Sequence, residues 1–437
     1  MQILVSLSIA LLTGLMLSRV AKLLQLPAVT AYLVTGILIG PYCLGAFGVK
    51  GLGFISMEDI KSYSLLCDLA LGFIAFSIGN EFRLSQLKKI GKQATIVGIF
   101  QAVVATLLVD AVLICLHLLM PDKLPLPAAI ILGAIASATA PAATLMVVKQ
   151  YKAKGPLTDI LLPVVALDDA VGLVLFAISF GVAKALLSGV VDIVSILVNP
   201  LLEIVLSLGL GAVMGLLFSW CERFFHSRSK RLAVSIGFVM LTIGLSMAHF
   251  EIGSVHIGFS SLLVCMMLGT IFCNICDFSE ELMDRVDRWT APLFVLFFVL
   301  SGAELELSVF ADIMIILIGL AYIVSRSAGK YSGAYLSAKW AGCNDNIVKY
   351  LGVTLLPQAG VALGMAIKSA ELGLPIISNI TLFAVLIYEL VGPMLTKIAL
   401  LKAGDIDPEG KTSARHEHAK KKAQQAQEVE QANQAQA

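Results

Sequence analysis

Pro163-Val-Val-Ala-Leu-Asp168-Asp169-Ala-Val-Gly172-Leu-Val-Leu-Phe176 sets two adjacent carboxylates inside an otherwise apolar helical stretch. A charge at mid-bilayer costs about 2.5–3.5 kcal/mol on insertion scales, so acids placed there are functional candidates by default. Neighbouring helical residues point about 100° apart because a turn takes 3.6 residues, so the two carboxylates cannot share one environment. One can face a cavity while the other meets a basic partner.

The rest of the chain places this stretch in a membrane. Of 437 residues, 58% are hydrophobic and 14% charged, with a mean hydropathy of +0.91. A soluble chain would carry about a quarter of its residues as charged groups, which argues against a soluble enzyme. The formal charge of +1 gives no electrostatic footprint for a nucleic-acid partner. Apolar runs suited to the lipid bilayer follow one another as about thirteen spans. They lie near 3–24, 28–48, 62–82, 93–119, 125–149, 158–187, 200–222, 231–249, 257–276, 289–303, 310–337, 346–369 and 376–401. The first begins at Ile3 without a basic leader and reads as a span, not a cleaved signal. The eight cysteines sit in or beside apolar blocks, and the single pair Cys273 and Cys276 lacks the second pair that zinc needs, so they read as packing residues.

Basic residues fall on alternate loops. One set holds Arg19, Lys22, Arg83, Lys88, Lys89, Lys92, Lys149, Lys152, Lys154, Arg223, Arg228, Lys230, Arg231, Arg285, Arg288, Lys339 and Lys349. The other holds only Lys50, Lys61, Lys123, Lys184 and Lys368. The positive-inside rule then puts the N-terminus outside and the C-terminus in the cytoplasm, which requires an odd number of spans. Residues 1–401 read as one transmembrane domain, with core spans at about 62–187 and 289–401 and the remaining spans as scaffold. Residues 402–437 read as a disordered cytoplasmic tail, too short for a nucleotide-binding domain.

Other ionisable residues inside spans are few: Asp68, Asp110, Arg326, Lys330 and Glu389, with Glu203 close enough to a span start to reach the interface. Lys330 is the obvious buried partner for Asp168. Arg326 has three candidate destinations: Glu389, Asp68, or the cytoplasmic interface.

Two spans are interrupted. Span five reads Ala136-Ser-Ala-Thr139-Ala-Pro141-Ala-Ala-Thr144, and span twelve reads Thr354-Leu-Leu-Pro357-Gln358-Ala-Gly360-Val-Ala. Proline removes a helical hydrogen bond, and unwound backbone at membrane depth survives only inside protein or along a watery cavity. Ordinary proline kinks are the competing reading, but position argues against it. Asp110, Pro141 and Asp168 form one series, and Lys330, Pro357 and Glu389 another, with similar separations. Each half reads ionisable helix, broken helix, acidic helix. Span four follows a basic loop and starts inside, whereas span eleven starts outside, so the two repeats are inverted and their discontinuous helices should cross at the midplane.

These stretches, with Arg326-Ser-Ala-Gly329-Lys330-Tyr-Ser-Gly333 and Gly72-Phe-Ile-Ala-Phe-Ser-Ile-Gly79-Asn80-Glu81, resemble bacterial sodium/proton antiporters of the monovalent cation:proton antiporter superfamily. The paired Asp is the specific element, and the resemblance runs to about Leu401. It implies that Asp169 binds Na+ and the exchanged protons, that Asp168 pairs with Lys330, and that exchange is electrogenic. It further implies a homodimer in the bacterial inner membrane, working without a cofactor. Thr139 and Thr144 would offer neutral oxygens to a dehydrated cation, and Arg326 and Glu389 would join Lys330 in proton coupling. Independently of the resemblance, a hard monovalent cation prefers oxygen ligands. A carboxylate holds a cation or a proton but not both, so exchange follows.

Three other readings stay open. The sequence leaves K+ or Li+ beside Na+ as the carried ion. Broken helices and acids also build cation channels, although a buried Lys330 beside the path argues against one. An intramembrane aspartyl protease needs two carboxylates converging on a shared water, and Asp168 and Asp169 diverge on one helix.

Overall fold

The computed structural model describes residues 2–24, 26–48, 53–80, 82–188, 199–248, 250–252, 255–276, 278–304, 312–369 and 372–406. Its helices are α1 (Gln2–Leu23), α2 (Ala28–Ile39), α3 (Met57–Lys61), α4 (Ser64–Asn80), α5 (Leu84–Leu119), α6 (Leu126–Ile135), α7 (Pro141–Tyr151) and α8 (Pro156–Ser188). They continue as α9 (Asn199–Glu222), α10 (Arg228–Ser246), α11 (Ser261–Ile275), α12 (Ser279–Ala303), α13 (Ile313–Trp340), α14 (Asp345–Thr354), α15 (Gly360–Ser369) and α16 (Pro375–Ala403). A small antiparallel hairpin, Phe250–Ile252 with Val255–Ile257, precedes α11. Among the described residues nine helices are long and apolar enough to cross a membrane, and α4, α6 and α11 are shorter apolar helices. The chain is an all-α multi-pass membrane protein.

Where helix ends depart from the expected spans, local chemistry explains the difference. The expected span 28–48 stops as an α-helix at Ile39 because Pro41 lacks an N–H and disfavours helical Gly40; a 3-10 turn, Leu44–Phe47, follows. The expected span 289–303 begins earlier, at Ser279, as a charged helix laced by Glu281–Arg285 and Asp284–Arg288 pairs at i,i+4 spacing. The tail beyond Ile406, including His416 and His418, lies outside the described residues.

Packing divides the helices into two bodies. Helices α5, α6, α8 and α13 to α16 pack chiefly on one another and form a core. Helices α1, α2, α4 and α9 to α12 form a scaffold, and α7 touches both. The sequence reading placed residues 62–82 and 289–303 in the core; their helices pack mainly on scaffold partners, α4 on α11 and α12 on α2. Lipid tails supply no hydrophobic drive between helices, so close approach at small residues does that work. A Cβ on Gly36 would fall on the Val299 carbonyl, and one on Gly79 on the Met266 carbonyl.

The same device orders the core. A Cβ on Gly329 would come within 2.7 Å of Ala105 Cα, and one on Gly333 within 2.8 Å of Gln101 Cα. As the chain advances along α13 its partners retreat along α5, so the two helices run antiparallel. The triplet α5, α6/α7, α8 therefore recurs inverted as α13, α14/α15, α16.

Candidate functional site

Each break leaves helical carbonyls without an N–H, and a membrane interior offers no water to satisfy them. The two breaks resolve this together. Residues 136–140 separate α6 from α7, residues 355–359 separate α14 from α15, and Ala140 N–H donates to Pro357 O at 2.8 Å, joining one break to the other. Pro141 opens α7, where its missing N–H costs nothing.

Side chains satisfy the remaining carbonyls. Arg326 is fully buried and donates from Nε to Ala136 O at 3.0 Å, from Nη2 to Ala138 O at 2.6 Å, and from Nη1 to Leu356 O at 2.8 Å. One guanidinium thus neutralises the negative ends of both half-helices, α6 and α14. Its far face stacks over the Tyr388 ring at 4.5 Å. The expectation that Arg326 pairs with Glu389 or Asp68, or reaches the interface, is corrected here: each of its three nitrogens donates to a backbone oxygen of the breaks. Gln358 Nε2 donates to Ile135 O and to Tyr322 Oη, both at 2.9 Å. Gly360 begins α15.

Lys330, one turn after Arg326 on α13, is also fully buried. Its ammonium donates to Ser137 O, to Thr139 Oγ1 at 3.0 Å and to Asp168 Oδ2 at 2.6 Å. Asp168 also accepts from the Thr139 hydroxyl and from Gln101 Nε2. That makes Asp168 a completed anion with three donors, one of them charged.

Asp169 differs in every respect. It is 2% exposed, and among the described residues neither carboxylate oxygen has a hydrogen-bond partner. The 100° step between neighbours turns it off the Lys330 side. A buried carboxylate without donors is costly unless a proton or a cation accompanies it. Thr144 is buried, and its hydroxyl donates back to Ala140 O at 3.2 Å, leaving lone pairs free. Glu389 is 6% exposed with Oε2 unpartnered, and Asp110 packs one oxygen against Gly133.

A cleft of about 1200 Å³ enters between the two bodies from the face that carries the basic loops, lined by Lys149, Asp159, Leu162, Pro163, Asp284 and Asp287 among others. Leu162 precedes Asp169 by two helical turns on the same face of α8, so the cleft points toward the free carboxylate. Gln101 is the site residue that a scan for ionisable groups passes over; its signal is a lone amide in the apolar run of α5.

Crossed, broken helices around a buried ion pair and an unpartnered acid define a membrane transporter of ions, not an enzyme. The sodium/hydrogen exchanger transmembrane family profile matches residues 7–402, and the chain belongs to that family. It is a cation/proton antiporter of the monovalent cation:proton antiporter superfamily, whose substrates are the ions it carries. It is similar to the Na+/H+ antiporter NhaS4 of Synechocystis sp., with 24% identity over 408 residues, 91% of this chain and 96% of that relative. Its fold matches the sodium proton antiporter MjNhaP1 from Methanocaldococcus jannaschii at pH 8, with a TM-score of 0.64, 19% identity, and coverage of 92% of this chain and 99% of that one. An electron-microscopy map of MjNhaP1 matches with a TM-score of 0.69, 17% identity, and coverage of 93% and 97%.

Proposed function

We propose that the chain exchanges cytoplasmic Na+, and Li+ in its place, for external protons, with Asp169 as the carrier carboxylate. The observation that carries this reading is the contrast between two adjacent buried acids. Asp168 is saturated by Lys330, Thr139 and Gln101, while among the described residues both oxygens of Asp169 lack a partner. A cation or a proton completes Asp169 in turn, and alternate occupancy is exchange. Thr139 and Thr144 supply neutral oxygens at the breaks. Lys330 joins the cycle by losing its proton, and with it the ion pair to Asp168, when the cation binds, and regaining both when the cation leaves; two protons, one on Asp169 and one on Lys330, then exchange for each cation, which makes the exchange electrogenic.

Counting α4, α11 and the two broken pairs as crossings beside the nine long helices gives thirteen, the odd number that a cytoplasmic C-terminus requires. The basic-loop face is then cytoplasmic, in a bacterial inner membrane, and the cleft is the cytoplasmic approach. Alternating access is movement of the core against the scaffold, and the scaffold helices α1, α9 and α10, with many exposed apolar side chains, suit both lipid and a second copy in a homodimer.

The test is cation-driven dissipation of an imposed proton gradient in proteoliposomes, with Na+, Li+ and K+ compared and the membrane potential clamped. A Na+ or Li+ response abolished in Asp169→Asn supports the reading. A response to K+ alone would make the chain a K+/H+ antiporter, and flux far above carrier turnover would make it a channel.

A further inference from the structure

One acid inside the core has no part in the exchange described above. Asp110 lies on α5 about two and a half turns beyond Gln101. It is displaced toward the face opposite the basic loops, because α5 starts among Arg83, Lys88, Lys89 and Lys92 and ends at Leu119. A Cβ on Gly133 would fall on Asp110 Oδ1, so the carboxylate is seated against the backbone of α6 in space that only glycine leaves. Asp110 is half-buried, and Thr106, one turn nearer the midplane on the same face of α5, is buried. Among the described residues neither Asp110 Oδ1 nor Thr106 Oγ1 has a hydrogen-bond partner. Two such oxygens on one helix face inside a membrane call for a proton, and for water to carry it.

Contacts lead from this pair to the buried ion pair. Helix α5 runs outward and α6 inward, so the step from Asp110 to Thr106 is matched on the facing segment by the step from Gly133 to Ser137. Ser137 Oγ stands 3.1 Å from where a Cβ on Gly172 would lie, one turn past Asp168 on α8, and Ser137 O accepts the Lys330 ammonium. Helix α6 carries no titratable side chain, and the charged groups that α8 and α13 bring to this depth are Asp168, Asp169, Arg326 and Lys330. His117 and Lys184 stand nearer the outer ends of α5 and α8.

We propose that Asp110 and Thr106 are the outer station of a proton route that passes Ser137 and ends at Lys330, apart from the cation's place on Asp169. A proton from the outer face converts the Asp110 carboxylate to the acid. The hydroxyls of Thr106 and Ser137, with water between them, each accept one proton and release another, and so end as they began. The neutral Lys330 amine takes the proton, becomes ammonium and re-forms its ion pair with Asp168, while Asp110 returns to its anion. The inference rests on the two-proton exchange proposed above.

The experiment uses the full chain in proteoliposomes and measures two fluxes. One is Na+/H+ exchange driven by protons supplied at the face opposite the basic loops. The other is exchange of labelled for unlabelled Na+ at equal concentration and pH on both sides, in which the loaded carrier shuttles and Lys330 has no proton to regain. In Asp110→Asn the first flux should fall about tenfold while the second holds, and in Thr106→Val the ratio of the two should fall about threefold. That ratio does not depend on how much of a variant folds. An unchanged ratio in Asp110→Asn, whether both fluxes fall or both hold, would overturn the route; if Asp110→Asn yields no folded protein, an unchanged ratio in Thr106→Val overturns it equally. Na+/H+ exchange that persists in Asp169→Asn would instead overturn the carrier assignment, whatever the Asp110 and Thr106 variants do.

Discussion

The crossing of the broken helices and the seam between the two bodies are built on opposite principles. At the crossing, Arg326, Lys330, Gln358 and the Ala140 amide tie down the loose carbonyls of α6 and α14. At the seam, the polar ties centred on α7 are few. Lys149 meets Asp287 at 2.6 Å, and Gln150 accepts from Ala28 N–H at 2.8 Å. The crossing is stiff because every bond broken there would expose backbone to an apolar interior. The seam is already parted by a cleft, which suits it to the movement of core against scaffold proposed above.

Within the crossing the exception is Asp169, and its removal should have the largest effect. Asp169→Asn is expected to lower exchange by at least about a hundredfold while thermal unfolding in detergent stays at or above that of the unmodified protein, since an unpartnered buried charge has been removed. Survival of exchange would break the contrast with Asp168. Arg326→Ala orphans three buried carbonyls and should cost about 3 kcal/mol or more, seen as a lowered unfolding temperature. An unfolding temperature equal to that of the unmodified protein would mean the crossing is not held as described.

Gln101→Leu removes one of three donors to Asp168. It should cost about 1–2 kcal/mol and slow exchange roughly tenfold, with Gln101→Asn recovering less than full rate because its amide falls short. The smallest effect is expected at the seam. Lys149 and Asp287 are partly exposed, with side chains 24% and 31% accessible, so Lys149→Ala should change stability by less than about 1 kcal/mol. That is still about a fivefold shift between two states, readable as a changed labelling rate of Leu162→Cys in the cleft.

Some of this was legible from the chain because it stands out against an apolar background. Asp168, Asp169 and Lys330 are the costliest residues to place in lipid, and Pro141 and Pro357 interrupt otherwise regular helices. The destination of Arg326 was not legible, because backbone carbonyls carry no mark in the sequence, whereas Glu389 and Asp68 stood out as partners. Gln101 escaped for the reverse reason: an uncharged amide is cheap enough to pass as filler, and only the antiparallel contact through Gly329 and Gly333 brings α5 over Asp168. The division into bodies depends on which glycines meet which backbone, a matter of rotation about each helix, and so α4 and α12 were grouped by their order in the chain.

The end of α16 has a mechanical meaning. Asp405 is buried, and its carboxylate accepts from Thr158 N–H at 2.6 Å and from the Thr158 hydroxyl at 2.7 Å, while its own carbonyl accepts from Lys154 N–H at 2.9 Å. It therefore serves as the borrowed cap of α8, set against the positive end of the helix that carries both acids. A chain cut at Gly404 would lose that cap and loosen the first turn of α8, whereas one cut after Ile406 would keep it. Any tension applied to the chain past Ile406 is delivered through these bonds to the root of α8, making Asp405 a handle on the carboxylates about three turns away.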